Sequence, residues 1–162
     1  MIKSNLLYDA TTTLNIGAEF RLGENTTFEL PVNYNPWSFS DNKKLKHVLV
    51  QPEVRFWFCE SFIGHFMGVH AHYSYYNIGG IDLSESLDKH RYEGWLTGGG
   101  FSYGYAHLLS ERWSIEATIG FGYAYMNYGK YECVKCGEKI SSHEKHYFGP
   151  TKIAFSIAYA FY

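Results

Sequence analysis

The chain has 162 residues, of which 46% are hydrophobic and 19% aromatic, with a formal net charge of −2. That length suits one domain, 1–162, and the near-neutral charge gives no general attraction to nucleic acid. No stretch reaches the ~18–20 consecutive apolar residues that a membrane-spanning helix needs.

Period-two alternation of apolar and polar residues runs almost throughout and no helical stripe stands out, which predicts strands. The first is short, "KSNLLYD" (3–9). The second, "LNIGAEFRL" (14–22), sets Leu14, Ile16, Ala18, Phe20 and Leu22 against Asn15, Gly17, Glu19 and Arg21. A "GENT" turn leads to "FELPVNYNPW" (28–37), with Phe28, Leu30, Val32 and Tyr34 opposite Glu29, Pro31, Asn33 and Asn35. The fourth, "KHVLVQPEVRFWF" (46–58), carries Val48, Val50, Val54 and Phe56 on one side and Gln51, Glu53 and Arg55 on the other. "HFMGVHAHYSYY" (65–76), "GWLTGGGFSYGYAH" (94–107), "WSIEATIGFGYAYMNY" (113–128) and "YFGPTKIAFSIAYAFY" (147–162) complete eight segments. Tight turns such as "CESFIG" and "LLSER" alternate with longer polar connections at about 38–45, 79–91 and 129–146. An even number of strands with short turns at one end and longer loops at the other is the pattern of an outer-membrane barrel. The expected fold is therefore an all-β, eight-stranded antiparallel up-and-down transmembrane β-barrel.

A soluble lipocalin-like carrier of a small apolar ligand also has eight up-and-down strands, with its apolar face turned inward. Mean hydropathy, −0.27, does not separate the two, because only alternate residues of a membrane barrel face lipid. The composition of the polar face favours the membrane. It is mostly Gly, Ala, Ser and Asn with isolated charges of both signs: Glu19, Arg21, Glu29, Glu53, Arg55, Glu116 and Lys152. Such a set suits the inside of a narrow barrel, as an ion-paired plug rather than a conducting pore. Trp37, Trp57, Trp95, Trp113, Tyr159 and Phe161 fall near strand ends, where aromatic girdles sit at membrane interfaces. No charged-then-apolar leader opens the chain, so an outer-membrane location implies that a signal peptide has been removed.

The stretches "KSNLLYDATTTLNIGAEF", "YNPW", "KHVLVQPEVRFWF", "GHFMGVH", "YEGWL", "RWSIEATIGFGYAY", "YECVKCGEK" and "YFGPTK" together resemble a family of unknown function, short outer-membrane β-barrel proteins from Bacteroides-type bacteria. The resemblance implies an OmpA/OmpX-like barrel with a signal peptide, and no established reaction.

Three groups of residues invite a functional reading. In "HAHYS", His70, His72 and Ser74 share one face, and a Ser-His-Glu hydrolase is conceivable. Alternation puts all three inside the barrel, whereas a lipid-modifying enzyme needs them facing the outer leaflet; His65 and His107 fall near the tight-turn end. No catalytic residue is assigned on this basis. The long connections are the usual place for recognition on a rigid scaffold, with a lipid bilayer around the barrel and another outer-membrane or surface protein as the partner. Finally, "YECVKCGEKISSHEKH" (131–146) holds Cys133, Cys136, His143 and His146, ligand types that suit tetrahedral zinc. Past an oxidising periplasm a local Cys133–Cys136 disulfide is the simpler reading, and zinc the alternative cofactor. Cys59 lies in a turn at the opposite end, too far to pair with either cysteine, and is expected as a free thiol.

Overall fold

The computed structural model describes residues 1–37, 44–79, 90–132 and 139–161. Its strands are β1 (Ile2–Asn5), β2 (Leu14–Arg21), β3 (Thr26–Asn35), β4 (Lys44–Val50), β5 (Glu53–Trp57), β6 (Gly64–Gly79), β7 (His90–Leu108), β8 (Trp113–Glu132) and β9 (Lys139–Tyr159), with one helix, α1 (Leu6–Ala10). Every pairing is antiparallel, and β1 lies between β2 and β9 to close the sheet. β4 and β5 both pair with β3 and β6 and form one wall strand. It is interrupted at Gln51–Pro52, where proline has no N–H for the ladder. The result is a closed eight-stranded antiparallel barrel.

The structure departs from the expected elements in three places. The segment 3–9 is not all strand: the chain leaves the sheet after Asn5 and makes the single turn α1. Asn5 caps that turn, its side chain accepting from the Leu7 N–H at 3.1 Å, which satisfies a donor the helix start would otherwise leave open. The second departure is length. β6 runs to Gly79, β7 starts at His90, β8 runs to Glu132 and β9 starts at Lys139. The ladders therefore reach Gly79 opposite Arg91 at one expected connection and take up much of 129–146 at another, with Tyr128 opposite His143 and Tyr131 opposite Lys139. Polar residues on both faces of these ladders hide the alternation that marks a strand. The third is a bulge in β9: Lys152 pairs with Gly120 and Pro150 with Phe121, leaving Thr151 as the extra residue. A bulge of this kind bends the strand and resets which side chains point inward.

Burial is inverted relative to a water-soluble domain. Among the described residues the buried side chains are mostly polar or charged, and the buried apolar ones are Trp57, Phe66 and four alanines. The outward face carries large apolar groups, among them Leu22, Phe101 and Phe148, the last 83% exposed. A lipocalin-like carrier has the opposite arrangement. Inward-facing glycines make room for the packed interior. A Cβ on Gly68 would overlap the Glu53 carboxylate, and one on Gly104 would overlap the Phe66 ring.

Candidate functional site

The barrel interior divides into a charged lower layer, toward the tight turns, and an open upper chamber. β2, β3, β5, β8 and β9 each send side chains into the lower layer by strict alternation. Arg55, fully buried, is its hub. Its guanidinium reaches Glu19 at 3.2 Å, Glu116 at 3.0 Å and Glu53 at 3.5 Å, and also pairs with Glu29. Lys152 pairs with Glu29 at 2.9 Å and contacts Glu53. Lys3 contacts Glu19 and Glu116 and lies 3.6 Å from Glu29. Neutral donors complete the carboxylates: Thr27 to Glu19, Ser102 to Glu53, and Thr118 to Glu116 at 3.0 Å. Four carboxylates against three cations leave one net negative charge within the layer.

Below the ions lies a ring layer. Trp57 packs on Phe66 with centroids 4.7 Å apart, Phe62 covers Trp57, and the Arg55 guanidinium sits over Phe66 at 4.5 Å. The Trp57 indole N–H donates to Thr27 at 2.9 Å, tying rings to ions.

Six of the seven expected interior charges meet here: Glu19, Glu29, Glu53, Arg55, Glu116 and Lys152. Arg21 does not. It is exposed at the tight-turn rim, its guanidinium 5.3 Å from the Phe62 ring centroid. Lys3 takes the place of a third cation and was missed because β1 is too short to establish an alternation. Trp57, expected in an outward girdle, is instead buried inside, on the same face as Glu53 and Arg55. Trp37 and Trp113 are exposed as expected, and Trp113 stacks edge-on with Tyr159 at 4.9 Å.

Above the ions is a cavity of about 430 Å³ whose lining includes Tyr8, Gln51, His72, Ser74, Met126 and Tyr147. His70, His72 and Ser74 are buried inside the barrel. His70 Nε2 meets the Thr151 hydroxyl at 2.9 Å, and the Gln51 side chain donates to the Thr151 carbonyl at 2.9 Å. The rings of His70 and His72 are 5.9 Å apart. Among the described residues no hydrogen bond joins Ser74 to either histidine, and the Nδ1 of each ring is without a partner.

Of the candidate zinc ligands, Cys133 and Cys136 lie outside the described residues, as does the disulfide expected between them. His143 and His146 do not converge. Their spacing of three on β9 places them on opposite faces of the strand. His143 meets the Ser141 hydroxyl at 2.8 Å, while His146 stacks on Tyr123 and contacts Tyr125. Among the described residues no group of three or more metal-ligating side chains gathers. Cys59 is an exposed free thiol.

Comparison with curated proteins and with solved structures gave no match. A family model does match residues 1–161, that of a protein of unknown function (DUF3575), and the chain belongs to this family.

Proposed function

We propose that the protein is an outer-membrane β-barrel with a plugged polar interior, serving as a structural or interaction protein through the connections at about 38–45, 79–91 and 129–146. The inversion of burial carries this reading. A barrel with phenylalanine, leucine and isoleucine outside and buried glutamates within has its apolar surface where lipid would be. Dimensions support it. The outward residues of β8 from Trp113 to Tyr125 span ~40 Å along the strand, or ~30 Å of height at a tilt of about 40°, close to the hydrocarbon thickness of a bilayer. Aromatic pairs lie toward the two ends of that band, Trp113 and Tyr159 below, Trp95, Tyr123 and Tyr125 above.

The interior favours a plug over a channel, because the ion network and the Trp57–Phe66 layer fill the lower bore. Catalysis is not part of the proposal, since the serine and histidines of "HAHYS" face inward with no bond between them. The long hairpins beyond the upper aromatic band are the surface through which a neighbouring outer-membrane or surface protein would be contacted.

The reading is tested by fractionating cells that make the full precursor. The protein should stay with outer membranes through an alkaline wash, need detergent for extraction and run faster on a gel unheated than boiled. Release into the wash without detergent would sink it. For the interaction, crosslinked pull-down from intact membranes is repeated after each long connection is replaced by a tight turn. A partner recovered equally with all three replaced would remove the loops from the account.

A further inference from the structure

The barrel wall has a seam. β1 pairs with β9 only from Ile2–Tyr159 to Asn5–Ser156, and with β2 only at Ile2–Ala18 and Lys3–Gly17. Beyond Ser156, β9 continues to Lys139 with β8 on one side and, among the described residues, no strand on the other. The chain that would have filled this place has turned into α1, which lies between β9 and β2.

An open sheet edge within hydrocarbon is costly, and this one is finished by specific groups. The Asn5 side chain accepts from the Phe155 N–H at 3.2 Å, replacing the ladder bond that a longer β1 would make. Asn15 on β2 accepts from the Asn5 N–H at 2.6 Å and donates to Asp9 of the helix at 2.7 Å. Pro150 brings no N–H to the edge at all. The seam is thus built into the wall rather than being a failure of pairing.

Tyr8, Pro150 and Thr151 line the upper chamber and also a surface hollow between α1 and β9. These three residues stand between the chamber and the outside of the barrel. The chamber's own chemistry is uniform. Its lining has Leu49, Leu96, Ala124 and Met126 beside Tyr8 and Tyr147, with His47, Gln51, His72, Ser74 and Thr151 as the polar groups, and among the described residues it holds no lysine, arginine or carboxylate. Beneath it, the cations of the lower layer are all engaged by glutamates. His72 is only 4% exposed and its Nδ1 has no hydrogen-bond partner, a deficit that a bound group could relieve. At about 430 Å³ the space falls in the range of about 300–1,000 Å³ typical of ligand sites.

We propose that the upper chamber binds an uncharged amphipathic molecule, with an apolar chain or ring against Leu96 and Met126 and one hydrogen-bonding head toward His72 and Ser74, and that it enters from the bilayer through the seam beside Tyr8. The entry route rests on the membrane reading above. A charged head has no counter-ion in the chamber and would lose its hydration there. An aliphatic alcohol has the required chemistry, and it can arrive either from lipid or from water.

The protein is folded into phosphatidylcholine vesicles, with insertion confirmed by heat-modifiable gel mobility. The probe is decanol carrying a chain-end diazirine, held in the vesicles; a butanol analogue serves as the water-borne source. After illumination, labelled residues are mapped by mass spectrometry. Label on Leu96, Met126 and Tyr147 that excess plain decanol removes, and that Ala124→Trp abolishes, is the expected result. Label confined to outward side chains such as Phe101 and Ile153 in inserted protein overturns the site. For the route, Tyr8→Trp should slow labelling by the vesicle-held probe several-fold and spare labelling by the butanol analogue. Equal slowing of both, or slowing of the analogue alone, overturns entry through the seam. Failure to insert overturns the membrane reading instead, so the two are told apart.

Discussion

The two halves of the barrel interior handle buried polarity differently, although the Arg55 Nε of the lower half, like the Nδ1 of His70 and His72, has no hydrogen-bond partner. In the lower half, Glu19, Glu29, Glu53 and Glu116 are held by Lys3, Arg55 and Lys152, and hydroxyls from Thr27, Ser102 and Thr118 take up remaining lone pairs. In the upper half, His72 is buried with an unused nitrogen beside an open space. A packed ion network is brittle, since removing one member leaves the others charged and unpaired. An under-satisfied chamber is tolerant, since it has little to lose. The lower half therefore sets the stability of the fold, and the upper half is free to carry a site.

The sharpest break of this comparison is Arg55→Leu. It takes one of three cations from four carboxylates in a layer closed to water, and removing one partner from a buried ionic group typically costs about 3–5 kcal/mol. Unfolding in urea, followed by the heat-modifiable gel shift in vesicles, should show a loss of that size or a failure to fold. Arg21→Ala is the matched control: its guanidinium is exposed at the rim, and the expected change is within about 0.5 kcal/mol. If the two substitutions cost the same, the network is not the source of stability.

A middle-sized effect tests packing in place of charge. Gly104→Ala puts a methyl where the Phe66 ring lies, and overpacking of this kind costs about 1–3 kcal/mol. Phe66→Leu in the same chain should recover part of the loss by freeing the ring's volume, at the expense of the contact with the Arg55 guanidinium. No recovery would mean that the clash lies with the backbone of β8, whose Ala117 carbonyl is also close.

What could be read from the residues follows from periodicity. A strand with two or three clear alternations announces its faces, so Glu19, Glu29, Glu53, Arg55, Glu116 and Lys152 could all be assigned inward. Lys3 could not, because four residues of β1 give no pattern. Arg21 shares the alternation of Glu19, yet sits one step further toward the rim, and depth along the barrel comes from strand stagger rather than from period. Residue type alone points Trp57 to a girdle, whereas its position two residues from Arg55 puts it on the inner face. α1 was illegible for a different reason: Leu6, Leu7 and Tyr8 fit a strand as well as a helix, and only the cap at Asn5 separates them. The seam could not be seen at all, since it depends on which strand ends opposite which. The opposite-face placement of His143 and His146, by contrast, follows from their spacing once β9 is known to reach Lys139.

The smallest expected effect is also the one with the reversed sign. His72→Leu replaces a buried imidazole, whose Nδ1 has no partner, by an apolar side chain of similar volume. In the lower half, losing a polar side chain strands its neighbours. Here no hydrogen bond to a described residue depends on Nδ1, and burying an unsatisfied polar atom itself costs about 1–3 kcal/mol. The variant should unfold at the same urea concentration as the parent or a higher one, with a gain of up to ~1 kcal/mol after the leucine's imperfect fit is set against that relief. At the same time it removes a group that the bound alcohol's head would use, so decanol protection of Met126 from labelling should weaken while stability holds. A loss of stability comparable to that of Arg55→Leu would show that the upper half is as tightly satisfied as the lower, and the contrast between them would fall.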